Sequence, residues 1–350
     1  MANEFDPNTG RSTDFESLPM RVGVGQFMVP TDEKLRYARQ LGVNDILLNF
    51  YQYDFDYPQL PAEEFSPLKG KHKWEYEQLI ELRNQVEKHD LRLNAIENLP
   101  ISFYEDIILG NEGREEQIEH VKTTVRNMGN AGIPILGYHW MPAGVWRTGK
   151  VTVRGGAEAT SFDLDAVDDE LTHDRPYTKS EMWENYEYFL EQVLPVAEDA
   201  GIKLCLHPND PPVPNLGGIP QLFHNFESFK RAMEIVPSDN HGLELCLGCW
   251  SQMGENLEEV IRYFGEQDEI FYVHFRDVEG TVPRFHETFV DEGNYDELHI
   301  IQLLDEVGFS GLMISDHVPK MEDDTDWGHR GRALTTGYLR GMLRALTADG

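Results

Sequence analysis

The amino-acid sequence predicts a single α/β barrel: eight parallel strands, each followed by a helix, closed on itself and carrying loop insertions at its carboxyl-end face. Three observations lead there. Eight short apolar runs recur through the 350 residues. Longer amphipathic segments, with apolar residues at three- and four-residue spacing, lie between them. Several of these segments stop at a glycine directly before the next run, where a left-handed residue ends a helix.

The first run, 21–27, follows a polar, acidic stretch expected to be an N-terminal tail (1–20), and the barrel domain is expected to span 21–350. The runs at 45–50, 92–97, 133–139, 202–207, 242–246, 270–275 and 311–316 supply the other seven strands. Helical spacing occupies 75–89, 114–131, 179–200, 257–264, 295–307 and 330–346. Gly42, Gly132, Gly201 and Gly308 are the stops. Repeated strand–helix units favour a parallel sheet with right-handed crossovers, and eight of them favour closure. Two polar stretches, 144–176 and 209–221, follow strands. They are therefore expected as loops on the face where a barrel builds its site.

Charge narrows the function. The chain has 62 Asp and Glu against 30 Lys and Arg, a net charge of -32. Such a surface repels nucleic acid and anionic membranes, so neither is an expected partner. Self-repulsion on this scale suits a halophile protein in molar salt, where the Debye length is about 3 Å; an ordinary acidic protein is the alternative. Three cysteines, Cys205, Cys246 and Cys249, fit a reducing compartment. No apolar leader and no run of 18 apolar residues stand in the sequence, so a cytoplasmic protein is expected. Phosphate-cradling glycine motifs and the G-x-S-x-G elbow are missing, so no nucleotide cofactor or serine hydrolase chemistry is expected.

The chemistry-bearing residues fall at strand ends. Four successive runs end in His207, Cys246, His274 and Asp316. Each alone has a structural explanation. A strand-end imidazole is commonly hydrogen-bonded, and a cysteine in an apolar run, Cys205 included, is commonly a small hydrophobe. Asp316 beside His317 reads as a turn. In a closed barrel, however, the four ends converge on one mouth. Two imidazoles, a thiolate and a carboxylate suit Mn²⁺, Fe²⁺ or Zn²⁺ better than Mg²⁺, which prefers oxygen alone. The Cys246-x-x-Cys249 spacing also admits a redox pair, although no second such motif accompanies it. Glu97, Tyr138, His139 and Arg276 lie at strand ends of the same mouth, and His286 lies with Glu287 in the following loop. Arg147 and Arg276 offer the paired donors that grip a carboxylate.

Read in order, AIENLP (95–100), YEDIILG (104–110), GYHWMP (137–142), HPNDPP (207–212), LCLG (245–248), VHFRDV (273–278), FHE (285–287) and GRAL (331–334) make a pattern. It resembles the mannonate dehydratase family over roughly 20–346. The resemblance implies a barrel of the xylose-isomerase group that converts D-mannonate to 2-keto-3-deoxy-D-gluconate. It implies one Mn²⁺ or Fe²⁺ held by the counterparts of His207, Cys246, His274 and Asp316. His317, beside a ligand, is then the expected general acid/base. Two positions depart from the family pattern. Ser315-Asp316-His317-Val318-Pro319 stands for PDHGR, and the family's catalytic tyrosine is Trp327, which has no hydroxyl. The second proton is therefore expected to pass through His329, Tyr138, His286 or bound water. Glu97, His139, Arg147, Arg276, His286 and Trp327 are the expected substrate contacts. The expected partner is a small sugar acid, and a homo-oligomer, dimer or larger, is expected. A metal-dependent isomerase or epimerase and a non-catalytic sugar-acid binder are the other two functions this pattern admits.

Overall fold

Apolar runs bounded by glycine and polar residues become strands here because they are buried on both faces, the burial a parallel sheet requires. The computed structural model describes residues 19–50, 68, 72–168 and 170–348. Of the expected tail, all but Pro19 and Met20 lies outside these residues. The strands, in chain order, are β1 (Arg21–Val22), β2 (Val24–Phe27), β3 (Asp45–Asn49), β4 (Arg92–Glu97), β5 (Ile135–His139), β6 (Gly149–Thr152), β7 (Glu158–Asp163), β8 (Lys203–His207), β9 (Asn215–Leu216), β10 (Ile219–Pro220), β11 (His241–Cys246), β12 (Ile270–Phe275), β13 (Val278–Thr281), β14 (Arg284–Glu287) and β15 (Leu312–Ser315).

The main sheet runs β1-β15-β12-β11-β8-β5-β4-β3-β2, and its pairings are parallel. The first predicted strand, 21–27, is split at Gly23. Its first half pairs with β15 and its second with β3, so this one bent strand closes the ring. Gly23 allows the bend because neighbouring strands leave no room. A Cβ there would lie 2.7 Å from both the Asp45 carbonyl oxygen and Leu312. Closure by eight staves is the predicted barrel.

Helices 114–131 and 179–200 have the predicted bounds. Both end on a left-handed glycine, Gly132 (φ 71°) and Gly201 (φ 66°). Their buried faces join an outer core between sheet and helices that includes Trp74, Phe103, Tyr186 and Trp250. A second core fills the barrel, with Leu47, Ala95, Cys205, Tyr272, Leu312 and Ile314 among its members. Asp45 lies beneath it, held by Arg21 at 3.1 Å and by Arg92 at 2.6 Å.

The polar stretch 144–176 corrects the expectation of a loop. It carries β6 and β7, which join β13 and β14 in a four-stranded antiparallel sheet. Phe162, Val278 and Phe285 form its own apolar cluster. Ordinary strand alternation is too short and too polar in these segments to stand out against a loop.

Candidate active site and metal centre

Side chains alternate across a strand, so every second residue of a barrel strand faces inward. Counting in twos places Asn49, Glu97, His139, His207, Cys246, His274 and Asp316 in one ring at the mouth. One layer below are Leu47, Ala95, Gly137, Cys205, Glu244, Tyr272 and Ile314. The ring brings ligand atoms of His207, Cys246 and His274 within 4.8 Å of one another. Asp316 joins them, with Oδ2 3.6 Å from His274 Nδ1 and 4.0 Å from Cys246 Sγ. All four residues are buried.

The electrostatics of this ring suit a cation. Burial pushes the Cys246 thiol up, but a hydrogen bond from Cys249 and the Arg276 charge hold it well below its ordinary value, favouring thiolate. Burial likewise raises Asp316, yet His317, His274 and Arg276 hold it well down. Glu97 is raised to about 7 by burial and by the nearby Glu244. Burial would favour neutral imidazoles, but Glu244 and Cys246 lift His207 to about 10, and Glu244, Glu97 and Asp316 lift His274 well above its usual range. The imidazoles thus carry protons in answer to the surrounding carboxylates and thiolate, and a bound metal would take the place of those protons. His274 Nδ1 and Glu244 Oε1, 2.9 Å apart, are also buried without a well-aligned hydrogen bond. The converging donor set, with the unaligned His274 Nδ1 and Glu244 Oε1 beside it, fits a divalent metal.

Neighbouring groups fix the ring. Glu97 accepts from His274 Nε2 at 2.7 Å, from Asn49 at 2.9 Å and from Gln26 at 3.0 Å. An imidazole anchored in this way presents its other nitrogen to the centre. Arg332, from the last helix, donates to the carbonyls of Ser315 and Asp316 at 3.0 and 2.8 Å, which steadies the Asp316 turn.

Beside the ring lies a second, ion-paired cluster. Arg147 forks onto Asp210 at 2.7 and 2.9 Å and reaches Glu287 at 2.7 Å. Arg276 donates to Glu287 at 2.9 Å, to Asp210 at 2.8 Å and lies 2.6 Å from Asp316 through Nε. Glu287 also holds His317 Nδ1 at 2.9 Å. That contact puts a proton on Nδ1 and leaves Nε2, 3.8 Å from Asp316, as the nitrogen able to exchange one. The His317 side chain is 39% exposed at the mouth, whereas that of Glu287 is 3% exposed, so the histidine is the reachable member of the pair. His139 is lowered to about 3 by burial and by His207, so it stands as a neutral imidazole.

Several expectations are corrected. Tyr138 lies between inward Gly137 and His139, so it points outward. Its hydroxyl bonds Tyr186 at 3.0 Å and His241 at 2.8 Å, away from the mouth. His286 occupies the opposite face of β14 from Glu287, with Nε2 3.5 Å from Glu279. His329 is taken by Thr325 at 2.6 Å and packs on Tyr37 and Trp327. Arg276 spends its donors on Glu287, Asp210 and Asp316, so it is a scaffold for the site and offers no free fork. Trp327 has no acid/base group. Its Nε1–H donates 2.7 Å to the Gln26 carbonyl and its ring packs against Phe27, closing the rim. Gln26, Asn49, Asp210 and Glu244 were missed as site residues, and Glu287, named beside His286, was given no role. Alternation from Cys246 would have exposed Glu244.

The D-mannonate dehydratase (UxuA) family model matches residues 33–176 and 164–349. The chain belongs to the mannonate dehydratase family. Relatives in that family include mannonate dehydratase 2 of Halalkalibacterium halodurans, 29% identical over 313 residues, covering 79% of this chain and 88% of the relative. Mannonate dehydratase of Streptococcus pneumoniae is 30% identical over 306 residues, covering 78% of this chain and 83% of the relative. The crystal structure of mannonate dehydratase from Streptococcus suis serotype 2 matches with a TM-score of 0.81 at 26% identity, covering 95% and 96% of the two chains. L-ribulose 3-epimerase, at 16% identity and a TM-score of 0.56 over 95% and 98% of the chains, shares the fold. No helix among the described residues is long and apolar enough to cross a membrane.

Proposed function

We propose that this member of the family dehydrates D-mannonate to 2-keto-3-deoxy-D-gluconate and water, with one Mn²⁺ or Fe²⁺ held by His207, Cys246, His274 and Asp316. The observation that carries the proposal is the pairing of that buried donor ring with His317, held by Glu287 through Nδ1 and exposed at the mouth. When bound, the metal supplies Lewis acidity, polarising the substrate carboxylate so that the adjacent C–H becomes acidic. His317 Nε2 takes that proton, while Glu287, itself held by Arg147, keeps the ring oriented. Loss of the hydroxyl at the next carbon needs a proton. With Tyr138, His286 and His329 directed elsewhere, His317 returns the one it took, so atoms balance as water leaves. Neutral His139 lines the same mouth as a polar contact for substrate hydroxyls. The enol product then tautomerises to the keto-deoxy acid. The charge of -32 supports work in a cytoplasm of molar salt.

A sugar-acid binder without turnover is the second reading, favoured by Trp327 standing where the family has tyrosine. One assay separates them: purified protein in molar KCl with Mn²⁺, given a panel of hexonates and pentonates, with 2-keto-3-deoxy acids measured. Product from D-mannonate supports the proposal. Bound metal and bound acid with no product from any member of the panel overturns it in favour of the binder.

A further inference from the structure

Glu244 is the one carboxylate of the inner layer directly beneath the mouth ring. It precedes Cys246 by two on β11, so both side chains face inward. It is fully buried, with relative exposure 0%. Its two oxygens differ. Oε2 accepts from the Tyr272 hydroxyl. Oε1 has no well-aligned hydrogen bond. It lies 2.9 Å from His274 Nδ1 and 3.6 Å from His207 Nε2, aimed between two of the imidazoles that face the centre. Its neighbours there are the two imidazole nitrogens that face the centre, with no aligned hydrogen bond to either, so a cation held by both nitrogens would meet this oxygen as well.

We infer that Glu244 Oε1 is a further ligand of the metal, closing the side of the centre that faces the barrel interior. This rests on the metal centre proposed above. Tyr272 fixes which oxygen is presented, because it occupies the other. The ligand set then holds three anionic donors, Cys246, Asp316 and Glu244, with two imidazoles. An added hard oxygen and a higher ligand number shift preference away from Zn²⁺, which favours four-coordinate N/S sites, and toward Mn²⁺ and Fe²⁺. With the interior side filled, the substrate enters from the mouth, where His317 stands. The competing account is a carboxylate that only hydrogen-bonds a protonated His274. It predicts that Glu244 stays outside the coordination sphere once metal displaces that proton.

Crystals of wild-type protein loaded with Mn²⁺ decide between them. The expected Oε1–Mn²⁺ distance is about 2.2 Å. A distance beyond about 3 Å overturns the inference while leaving the metal centre in place. Wild-type protein that takes up no Mn²⁺ overturns both. Chelator competition on Glu244→Gln, beside Cys246→Ser, is the solution measurement. Glu244→Gln is expected to weaken Mn²⁺ binding at least about tenfold, with Zn²⁺ affinity changed far less. A folded Glu244→Gln protein that keeps wild-type Mn²⁺ affinity overturns the inference. If that variant does not fold, the wild-type distance alone decides.

Discussion

Replacing Glu287 with glutamine measures how strongly the charge cluster around His317 is held. Glu287 is 2% exposed and accepts from Arg147 at 2.7 Å, from Arg276 at 2.9 Å and from His317 at 2.9 Å. Burial by itself would raise its pKa. Arg276, His317 and Arg147 reverse that and hold it at about 2, against an ordinary 4.5. The folded value lies below the unfolded one. The carboxylate therefore stabilises the fold above pH 4.5, and that contribution is lost as the pH falls toward about 2. At about 1.4 kcal/mol per pH unit, the difference is ~3 kcal/mol at neutral pH. Breaking one buried ion pair costs a similar ~3–5 kcal/mol. Glutamine keeps the volume and removes the charge. In urea unfolding followed by tryptophan fluorescence, in molar KCl at pH 7, the midpoint is expected to fall by roughly 1 M. The deficit should narrow as the pH is lowered toward about 3.5, because below pH 4.5 the carboxylate takes up a proton in the unfolded chain while the folded one, held at about 2, stays ionised. A deficit under ~1 kcal/mol at pH 7, the range of an exposed pair, would refute the reasoning. So would a deficit of equal size at both pH values.

Three other perturbations follow from the same structure. His317→Ala should lower turnover by roughly 10²–10⁴-fold while metal content measured by mass spectrometry stays near wild type; normal turnover removes His317 from the chemistry. Gly23→Ala places a Cβ 2.7 Å from Asp45 and Leu312, so the melt should show about 1–3 kcal/mol of lost stability, and an unchanged melt would mean the seam can relax. Melting temperature should rise between low and molar KCl as screening relieves the charge of -32; a flat profile rules out the halophile reading.

Much of this was legible before any coordinates, and the failures share one cause. His207, Cys246, His274 and Asp316 stand out because a donor ends an apolar run, and a barrel sends such ends to one mouth. What a sequence without a template leaves open is phase. Tyr138 and His139 are neighbours with equal claims, yet one faces Tyr186 behind the sheet and the other the mouth. His286 and Glu287 differ in the same way, and the hairpin carrying them was read as a loop, so no phase could be assigned. Glu244 was passed over because it sits inside the run LELC, where a charge looks like an interruption. Arg276 was placed correctly but read as a free grip, since its three carboxylate neighbours come from residues 210, 287 and 316, far apart in the chain.

The seam between β1 and β15 also sets when the protein can finish folding. Arg21 donates to the Ser310 carbonyl at 2.8 Å across 289 residues of chain. Loop-closure entropy grows only logarithmically with length, so so long a connection costs the finished fold little. It costs time, because contacts of such separation form late. On the ribosome, the strand edge at Arg21–Val22 waits for Leu312 and Met313 of β15 to emerge. The barrel is thus completed only once β15 is available, and until then the edge at β1 is open to another nascent copy.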